Sequence, residues 1–149
     1  MQQHTEKIGL GSDHAGYILK ELMKEKLIEK GFEVIDFGAY SEQSADYPDH
    51  VHPLCRAIES GEMDRGIVMC GSGNGVSITA NKYAGIRAAL SWDAEIARLA
   101  RAHNNANVLA LPARFIAPGE ALKALDTFLD TAFEGGRHVK RVEKIPPGQ

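Results

Sequence analysis

The sequence contains little that would support a disulfide framework or a zinc site. Only two of its 149 residues are cysteines, Cys55 and Cys70, and they are far apart along the chain. Isolated cysteines match neither the close pairs of zinc sites nor the dense cysteines of small secreted domains. If either cysteine matters chemically, we expect it to act as a free thiol.

Strong charge of one sign and long apolar runs are also missing. The formal net charge is −3, so no overall positive field is available to hold a nucleic-acid backbone. The stretch MQQHTEKIGLG has no apolar signal-peptide core, and no run approaches the roughly 18 apolar residues of a membrane span. These absences predict a cytoplasmic protein that binds neither nucleic acid nor membranes.

What is present is a substantial apolar fraction in a chain of domain size. Hydrophobic residues make up 44% of the sequence, which is enough for a buried core in one domain spanning residues 1–149. Five apolar stretches alternate with helical patterns: KIGLGSD, FEVIDFG, RGIVMC, IRAALSW and NVLALP. The alternation predicts an α/β fold of three α/β/α layers, Rossmann-like, with a five-stranded parallel sheet and helices on both faces.

Three further predictions concern helices and their boundaries. The loop SEQSADYPDH is expected to extend to His50, because Pro53 then falls in the first turn of the next helix. Asp93 is expected to be the N-cap of the helix DAEIARLARAHN. The segment from about residue 135 is expected to be helical and to pack on a partner subunit.

The predicted sheet indicates where ligands bind. In open α/β sheets they bind beyond the carboxyl ends of the strands, where helix N-termini also converge. The residues that directly follow strands are therefore the first candidates. They are Ser12, Asp13 and His14; Tyr40 to Tyr47; Cys70 to Gly75; Trp92 and Asp93; and Pro112 to Arg114.

The loop CGSGNG begins at Cys70 and joins the third strand to a helix. Its glycines allow backbone N–H groups to approach an anion, and the helix dipole adds positive potential that favours a thiolate. The loop lacks the lysine of a P-loop, follows the third strand instead of the first, and has Val76 where a cysteine phosphatase has arginine. The pattern alone leaves Cys70 open as either a small core residue or a thiolate.

Four other residues near strand ends have two interpretations each. Asp13 either caps the first helix or serves the crevice, whereas His14 favours function because a titratable group there faces the crevice. Tyr47 either lines the crevice or covers the core of its own loop. Arg114 either joins a phosphate cluster or pairs with an exposed carboxylate.

The remaining candidates lie late in the chain. Arg137 and Arg141 share one face if their segment is helical, and paired guanidinium groups suit a phosphate; a solvated basic tail is the alternative. His103 continues the apolar stripe of its helix, which is typical of a core histidine. It also ends a crossover helix, at the sheet edge opposite the crevice. If His103 and Asn104 are catalytic, they should serve a neighbouring subunit's site.

Together these motifs match a known family. The sequence closely resembles type B ribose-5-phosphate isomerases, in the family that also contains galactose-6-phosphate and allose-6-phosphate isomerases. The resemblance runs from Lys7 to about Glu143. The matching stretches, in order, are GSDHAGYILK, DFGAYS followed by DYP, CGSGNGVSITANKYAGIRAAL, ARAHNNANVLALPAR and FEGGRHVKRV.

The resemblance implies an aldose–ketose isomerase that uses no metal or other cofactor. It would interconvert D-ribose 5-phosphate and D-ribulose 5-phosphate through a cis-enediolate, with Cys70 moving the proton between C2 and C1. Ser72 would assist at that anion, and His103 would open the furanose ring with Asp13 nearby. The other implied substrate contacts are Gly71, Ser72, Gly73, Asn74 and Gly75 at the enediolate, Asn104 at sugar oxygens, His14, Arg114, Arg137 and Arg141 at the phosphate, and Tyr47 lining the site.

The resemblance also implies a homodimer or homotetramer whose active sites are shared between subunits. Ser72 stands where many family members have threonine; it keeps the hydroxyl, so activity is expected. Another sugar phosphate is an alternative substrate: allose 6-phosphate, galactose 6-phosphate or erythrulose 4-phosphate. A non-catalytic sugar-phosphate-binding module is a further alternative.

Overall fold

The computed structural model describes residues 5–148, which contain one five-stranded sheet. Its strands are β1 (Lys7–Ser12), β2 (Glu33–Asp36), β3 (Arg65–Cys70), β4 (Ala88–Leu90) and β5 (Val108–Pro112). All neighbouring strands are parallel, and their order is β2-β1-β3-β5-β4. The predicted five-stranded parallel sheet is confirmed.

Helices cover both faces of this sheet. They are α1 (Tyr17–Glu29), α2 (Tyr47–Glu59), α3 (Asn74–Ala80), α4 (Ala94–Asn104), α5 (Pro118–Asp130) and α6 (Arg137–Glu143). Helices α1, α4 and α5 form one core with the sheet, and α2 and α3 form the other, so the three-layer prediction is confirmed. Within residues 5–148, no helix combines the length and apolarity needed to cross a membrane.

The side chains of β3 alternate between the two cores. Ile67 and Met69 pack in the core of α1, α4 and α5, whereas Val68 and Cys70 pack in the core of α2 and α3. Successive strand residues point to opposite faces, which explains the alternation. The thiol of Cys70 therefore lies on the α2/α3 face, at the carboxyl edge of the sheet.

The chain reverses its winding between β1 and β3. Helix α1 leads outward from β1 to β2, and α2 then returns across β1 to β3 on the opposite face. In open α/β sheets a crevice forms at such a switch point, outside the carboxyl ends of the two strands. Asp13 and His14 follow β1 and Gly71 follows β3, so these residues flank one crevice.

One helix boundary is confirmed and another is wrong. Asp93 is the N-cap of α4, where its Oδ1 accepts a hydrogen bond from the amide of Ile96 at 2.9 Å. The expected loop up to His50 is wrong, because α2 begins at Tyr47 and includes Pro53 in its interior. Pro48 sits in the first turn, where the missing N–H is not needed.

Gly73 provides a test of how the loop after β3 is built. Its φ is +77°, and a Cβ there would meet Leu90 Cδ1 and lie 3.1 Å from the carbonyl carbon of Leu111. Gly73→Ala should lower the free energy of unfolding by at least about 1–2 kcal/mol, because left-handed backbone is strained for an L-residue. Urea denaturation followed by circular dichroism, at one protein concentration, measures the change.

Gly119→Ala is the matched control. Gly119 lies in the first turn of α5, and a Cβ there would meet nothing within 4 Å. This variant should be unchanged or more stable by about 0.4–1 kcal/mol, because alanine loses less backbone freedom on folding. Equal stability of the two variants would contradict the strained geometry assigned to Gly73.

Candidate active site

The loop after β3 fixes the thiol and the amides above it. Cys70 is buried, with 4% of its surface exposed. Its carbonyl oxygen accepts a hydrogen bond from the amide of Ala113 at 2.9 Å, and its strand partner is Pro112. Gly73, in the left-handed conformation, then turns the chain into α3. The thiol is therefore held rigidly under a loop of small residues.

Ser72 is exposed at the top of this loop. Its Oγ accepts a hydrogen bond from the amide of Asn74 at 3.2 Å. A hydroxyl group both accepts and donates, so the Ser72 proton remains available to an oxygen atom outside the loop. The serine thus offers the hydroxyl expected from the sequence.

Tyr47 and Gly75 form one wall of the site. The Tyr47 ring lies where a Cβ on Gly75 would stand, so the glycine allows the ring to approach the backbone of α3. Tyr47 also packs against the core that contains Cys70. The Tyr47 ring therefore lies beside the loop and also covers core residues.

Asp13 and His14 form the opposite wall, after β1. Asp13 is nine-tenths buried, and its Oδ1 accepts a hydrogen bond from the amide of Gly16 at 3.0 Å, which caps the turn that leads into α1. His14 is half-buried, with its Nδ1 3.2 Å from the amide nitrogen of Ala45 and 3.3 Å from that residue's oxygen. The tautomer of His14 decides which of the two contacts is a hydrogen bond.

Arg114 closes the site from the β5 side. Its amide donates to the oxygen of Gly71 at 3.0 Å, and its guanidinium lies beside Gly71, where a Cβ would be 3.2 Å from Nη1. The side chain is exposed, so its charge is available to an anion above the loop. We call this set the thiol half-site: Asp13, His14, Tyr47, Cys70 to Gly75, and Arg114.

The other candidates lie at the opposite edge of the sheet. His103 and Asn104 end α4, and Arg137 and Arg141 lie on α6, which packs against α4. Helix α4 starts at the carboxyl edge and runs 11 residues, or roughly 16 Å, toward the other edge. We call His103, Asn104, Arg137 and Arg141 the histidine half-site. Within one chain the two half-sites do not meet.

Two residues beside the histidine half-site, His138 and Glu134, were not identified from the sequence. His138 stacks on His103 with ring centroids 4.2 Å apart, and Glu134 Oε1 lies 3.7 Å from Nε2 of both rings. The four-residue separation of Glu134 and His138 was the available signal, although Glu134 precedes α6. It became meaningful only once α4 and α6 were known to lie side by side.

A family model for ribose/galactose isomerases matches residues 8–145. The chain belongs to the ribose/galactose isomerase family. The matched range covers both half-sites and agrees with the extent of the resemblance found in the sequence. Cys70 and His103, which lie at opposite edges of the sheet, are both within the matched range.

Two curated members of the ribose/galactose isomerase family are close relatives. Ribose-5-phosphate isomerase B of Escherichia coli strain K12 is 45% identical over 140 residues, 94% of each chain. D-erythrulose-4-phosphate isomerase of Pectobacterium atrosepticum is 43% identical over 139 residues, 93% of this chain and 91% of that protein. Overall identity is therefore nearly the same for relatives named for five-carbon and four-carbon substrates.

Two solved structures of family members share the fold. The ribose 5-phosphate isomerase of Thermotoga maritima superposes with a TM-score of 0.92 at 54% identity, covering 95% of this chain and 98% of that one. Ribose-5-phosphate isomerase B of Mycoplasma genitalium, solved with bound ribulose-5-phosphate, gives a TM-score of 0.90 at 43% identity, covering 95% of each chain. The Rossmann-like fold is therefore shared with isomerases of known structure.

Cys55 should be protected from alkylation in the folded protein. Burial, and to a lesser extent the nearby Glu59 carboxylate, raise the pKa of Cys55 to about 12. At about pH 8 only about one Cys55 side chain in 10⁴ is then a thiolate, the form that alkylating reagents attack. Iodoacetamide should therefore leave Cys55 unmodified in the folded protein and modify it after denaturation.

Peptide mapping by mass spectrometry measures this difference. The denatured Cys70→Ala variant, in which Cys55 is the remaining cysteine, serves as the control for complete labelling. Alkylation of Cys55 at equal rates in the folded and denatured protein would contradict the burial described for this thiol.

Proposed function

We propose that the protein is an aldose–ketose isomerase that interconverts D-ribose 5-phosphate and D-ribulose 5-phosphate, with Cys70 as the base. The observation that carries the proposal is the fixed thiol of Cys70 under the loop from Gly71 to Gly75, in a chain of the ribose/galactose isomerase family. Isomerisation needs a base beside a carbon next to a carbonyl group, and donors for the oxygen that becomes negative.

The chemistry balances within the substrate. The Cys70 thiolate removes the proton from C2 of the open-chain aldose, and the electron pair of that C–H bond forms the enediolate. Protonation at C1 by the resulting thiol forms the new C–H bond. The proton of the C2 hydroxyl passes to the C1 oxygen, so the C1 oxygen becomes a hydroxyl and the C2 oxygen a carbonyl. Carbon C2 is oxidised as C1 is reduced, so no outside oxidant or reductant is required.

Each group of the thiol half-site has a task in this reaction. The backbone amides of the loop and the Ser72 hydroxyl donate to the enediolate oxygens, where one such donor is commonly worth about 10²–10³-fold in rate. Tyr47 limits the space above the loop. Asp13 assists ring opening near C1, and His14 and Arg114 bind the phosphate, whose fixed position holds C1 and C2 against the thiol.

A second copy of the chain supplies the ring-opening histidine. Ring opening requires His103 within hydrogen-bond reach of the same sugar that Cys70 attacks. Within one chain, however, α4 is roughly 16 Å long and carries His103 to the sheet edge opposite Cys70. A homodimer or homotetramer resolves this if the histidine half-site of one subunit faces the thiol half-site of another. Asn104 then contacts sugar oxygens, and Arg137 and Arg141 join the phosphate site across the interface.

The four-carbon sugar phosphates are the second candidate substrates. The D-erythrulose-4-phosphate isomerase relative favours them, since its identity to this chain is close to that of the five-carbon enzyme. We place ribose 5-phosphate first because all the curated and structural matches named above, with that one exception, carry ribose 5-phosphate in their names. A cytoplasmic location, as expected from the sequence, completes the proposal.

A comparison of kcat/KM for ribose 5-phosphate, allose 6-phosphate and erythrulose 4-phosphate tests the substrate. The kcat/KM for ribose 5-phosphate should exceed that for each of the others by about tenfold or more, because one carbon unit changes the distance between the thiol and the phosphate-binding groups. A higher kcat/KM for either of the other two would change the assigned substrate and leave the proposed proton transfer unchanged. Binding without turnover of any of the three would indicate a non-catalytic module.

Cys70→Ala tests the base. The variant should lose about 10²–10⁴-fold in kcat, the usual contribution of a general base, while its affinity for ribose 5-phosphate stays within about tenfold. Cys55→Ala is the matched control, because Cys55 lies in α2 outside both half-sites; its kcat should stay within about threefold of the unsubstituted protein. Turnover in Cys70→Ala equal to that of the control would exclude Cys70 as the base.

A further inference from the structure

His138 is a buried titratable side chain beside the histidine half-site, and the isomerisation scheme gives it no task. Its side chain is 9% exposed, whereas that of His103 is 35% exposed. The two rings are nearly parallel, at 13°, with centroids 4.2 Å apart. His138 therefore forms a flat wall against which the more accessible His103 ring lies.

Hydrogen bonds fix the segment that carries this wall to α4. The amide of Glu134 donates to the oxygen of Ala102 at 2.9 Å, directly beside His103 in sequence. The Arg101 guanidinium donates through Nε to the oxygen of Thr131 at 3.1 Å, which anchors the start of the same segment. Helix α6 then begins after Gly136 and carries His138 over the end of α4.

The charges around the pair favour one protonated ring, not two. Glu134 Oε1 lies 3.7 Å from each Nε2, too far for a good hydrogen bond but close enough to stabilise one imidazolium. Burial lowers the pKa of His138, and His103 and Arg137 lower it further. The charged groups that act on His138 are Glu134, Arg137 and Arg141 from the C-terminal segment, and Arg98 from α4 interacts with Glu134.

The stacked geometry also argues against one metal ion shared by both rings. The side chains of His103, Glu134 and His138 offer ligand atoms that lie within 4.8 Å of one another. An imidazole binds a metal through a lone pair in its own ring plane, and two stacked, nearly parallel planes do not meet at a common ion. The arrangement instead suits two rings in contact, of which one carries the proton.

We propose that His138 is a positioning residue for His103: its ring stacks on the His103 imidazole and fixes the plane of that imidazole. The inference rests on the proposed function only in assigning ring opening to His103. Holding the ring plane matters because proton transfer to the furanose oxygen requires an aligned imidazole N–H. His138 itself touches no substrate.

The test compares His138→Ala, which removes the ring, with His138→Phe, which keeps a flat ring that cannot carry a proton. His138→Ala should lower kcat on ribose 5-phosphate by about tenfold or more while KM stays within about threefold, because Arg137 and Arg141 are unchanged. His138→Phe should recover kcat to within about threefold. Val139→Ala is the matched control on the same helix; Val139 is 40% exposed, and the variant should leave both constants unchanged.

A readout that does not depend on activity accompanies the kinetics. In the unsubstituted protein, ring current from the stacked partner should displace the NMR resonance of the His103 Cε1 proton. The displacement should persist in His138→Phe and disappear in His138→Ala. The His138 resonance should titrate with a pKa below the ordinary histidine value of about 6.5.

Three outcomes would overturn the inference. Unchanged kcat in His138→Ala would remove the positioning role, and loss of kcat in His138→Phe equal to that in His138→Ala would indicate that the imidazole takes part chemically. A raised KM with unchanged kcat would indicate a structural role in holding α6. If His103→Ala retains full turnover, the assignment of ring opening fails, while the NMR displacement still tests the stack itself.

Discussion

The polarity of a parallel sheet is the constraint on which the rest of the molecule depends. Every strand ends at one edge, and every crossover helix that follows must end at the other. Cys70 ends β3, whereas His103 ends α4, so the chain carries them at opposite edges. No side-chain rotation can bring them together, because the separation is set by the length of the helix. An active site that uses both residues has to be completed by a second chain.

The same constraint divides the candidate phosphate-binding groups between the two edges. At the thiol edge, His14 and Arg114 flank the loop; at the histidine edge, Arg137 and Arg141 lie on α6. Under the proposed function, a substrate phosphate would contact both edges across a subunit interface, which would connect substrate affinity to assembly. The segment that leads to α6 is in turn anchored by Arg101 at Thr131, so a short helix near the end of the chain is held in a defined position.

Much of this arrangement could be predicted from the sequence, because the strands are apolar and their ends carry polar residues. The strand-end rule locates Cys70, Asp13 and His14 at the carboxyl edge, and the end of a crossover helix assigns His103 to the opposite edge. The start of α2 was not predictable in the same way, since Tyr47-Pro48 resembles turn chemistry but occupies a first helical turn. Strand order and the His103–His138 stack depend on long-range packing, which no local pattern encodes.

The most direct measurement is activity after mixing two inactive variants, Cys70→Ala and His103→Ala, under conditions that exchange subunits. In a mixed dimer with shared sites, one site contains both substitutions and the other contains neither. At equal amounts, half of the dimers are mixed, so about a quarter of full activity should return. Absence of any recovery, after mass spectrometry has proved that subunits exchanged, would contradict a site built from two chains.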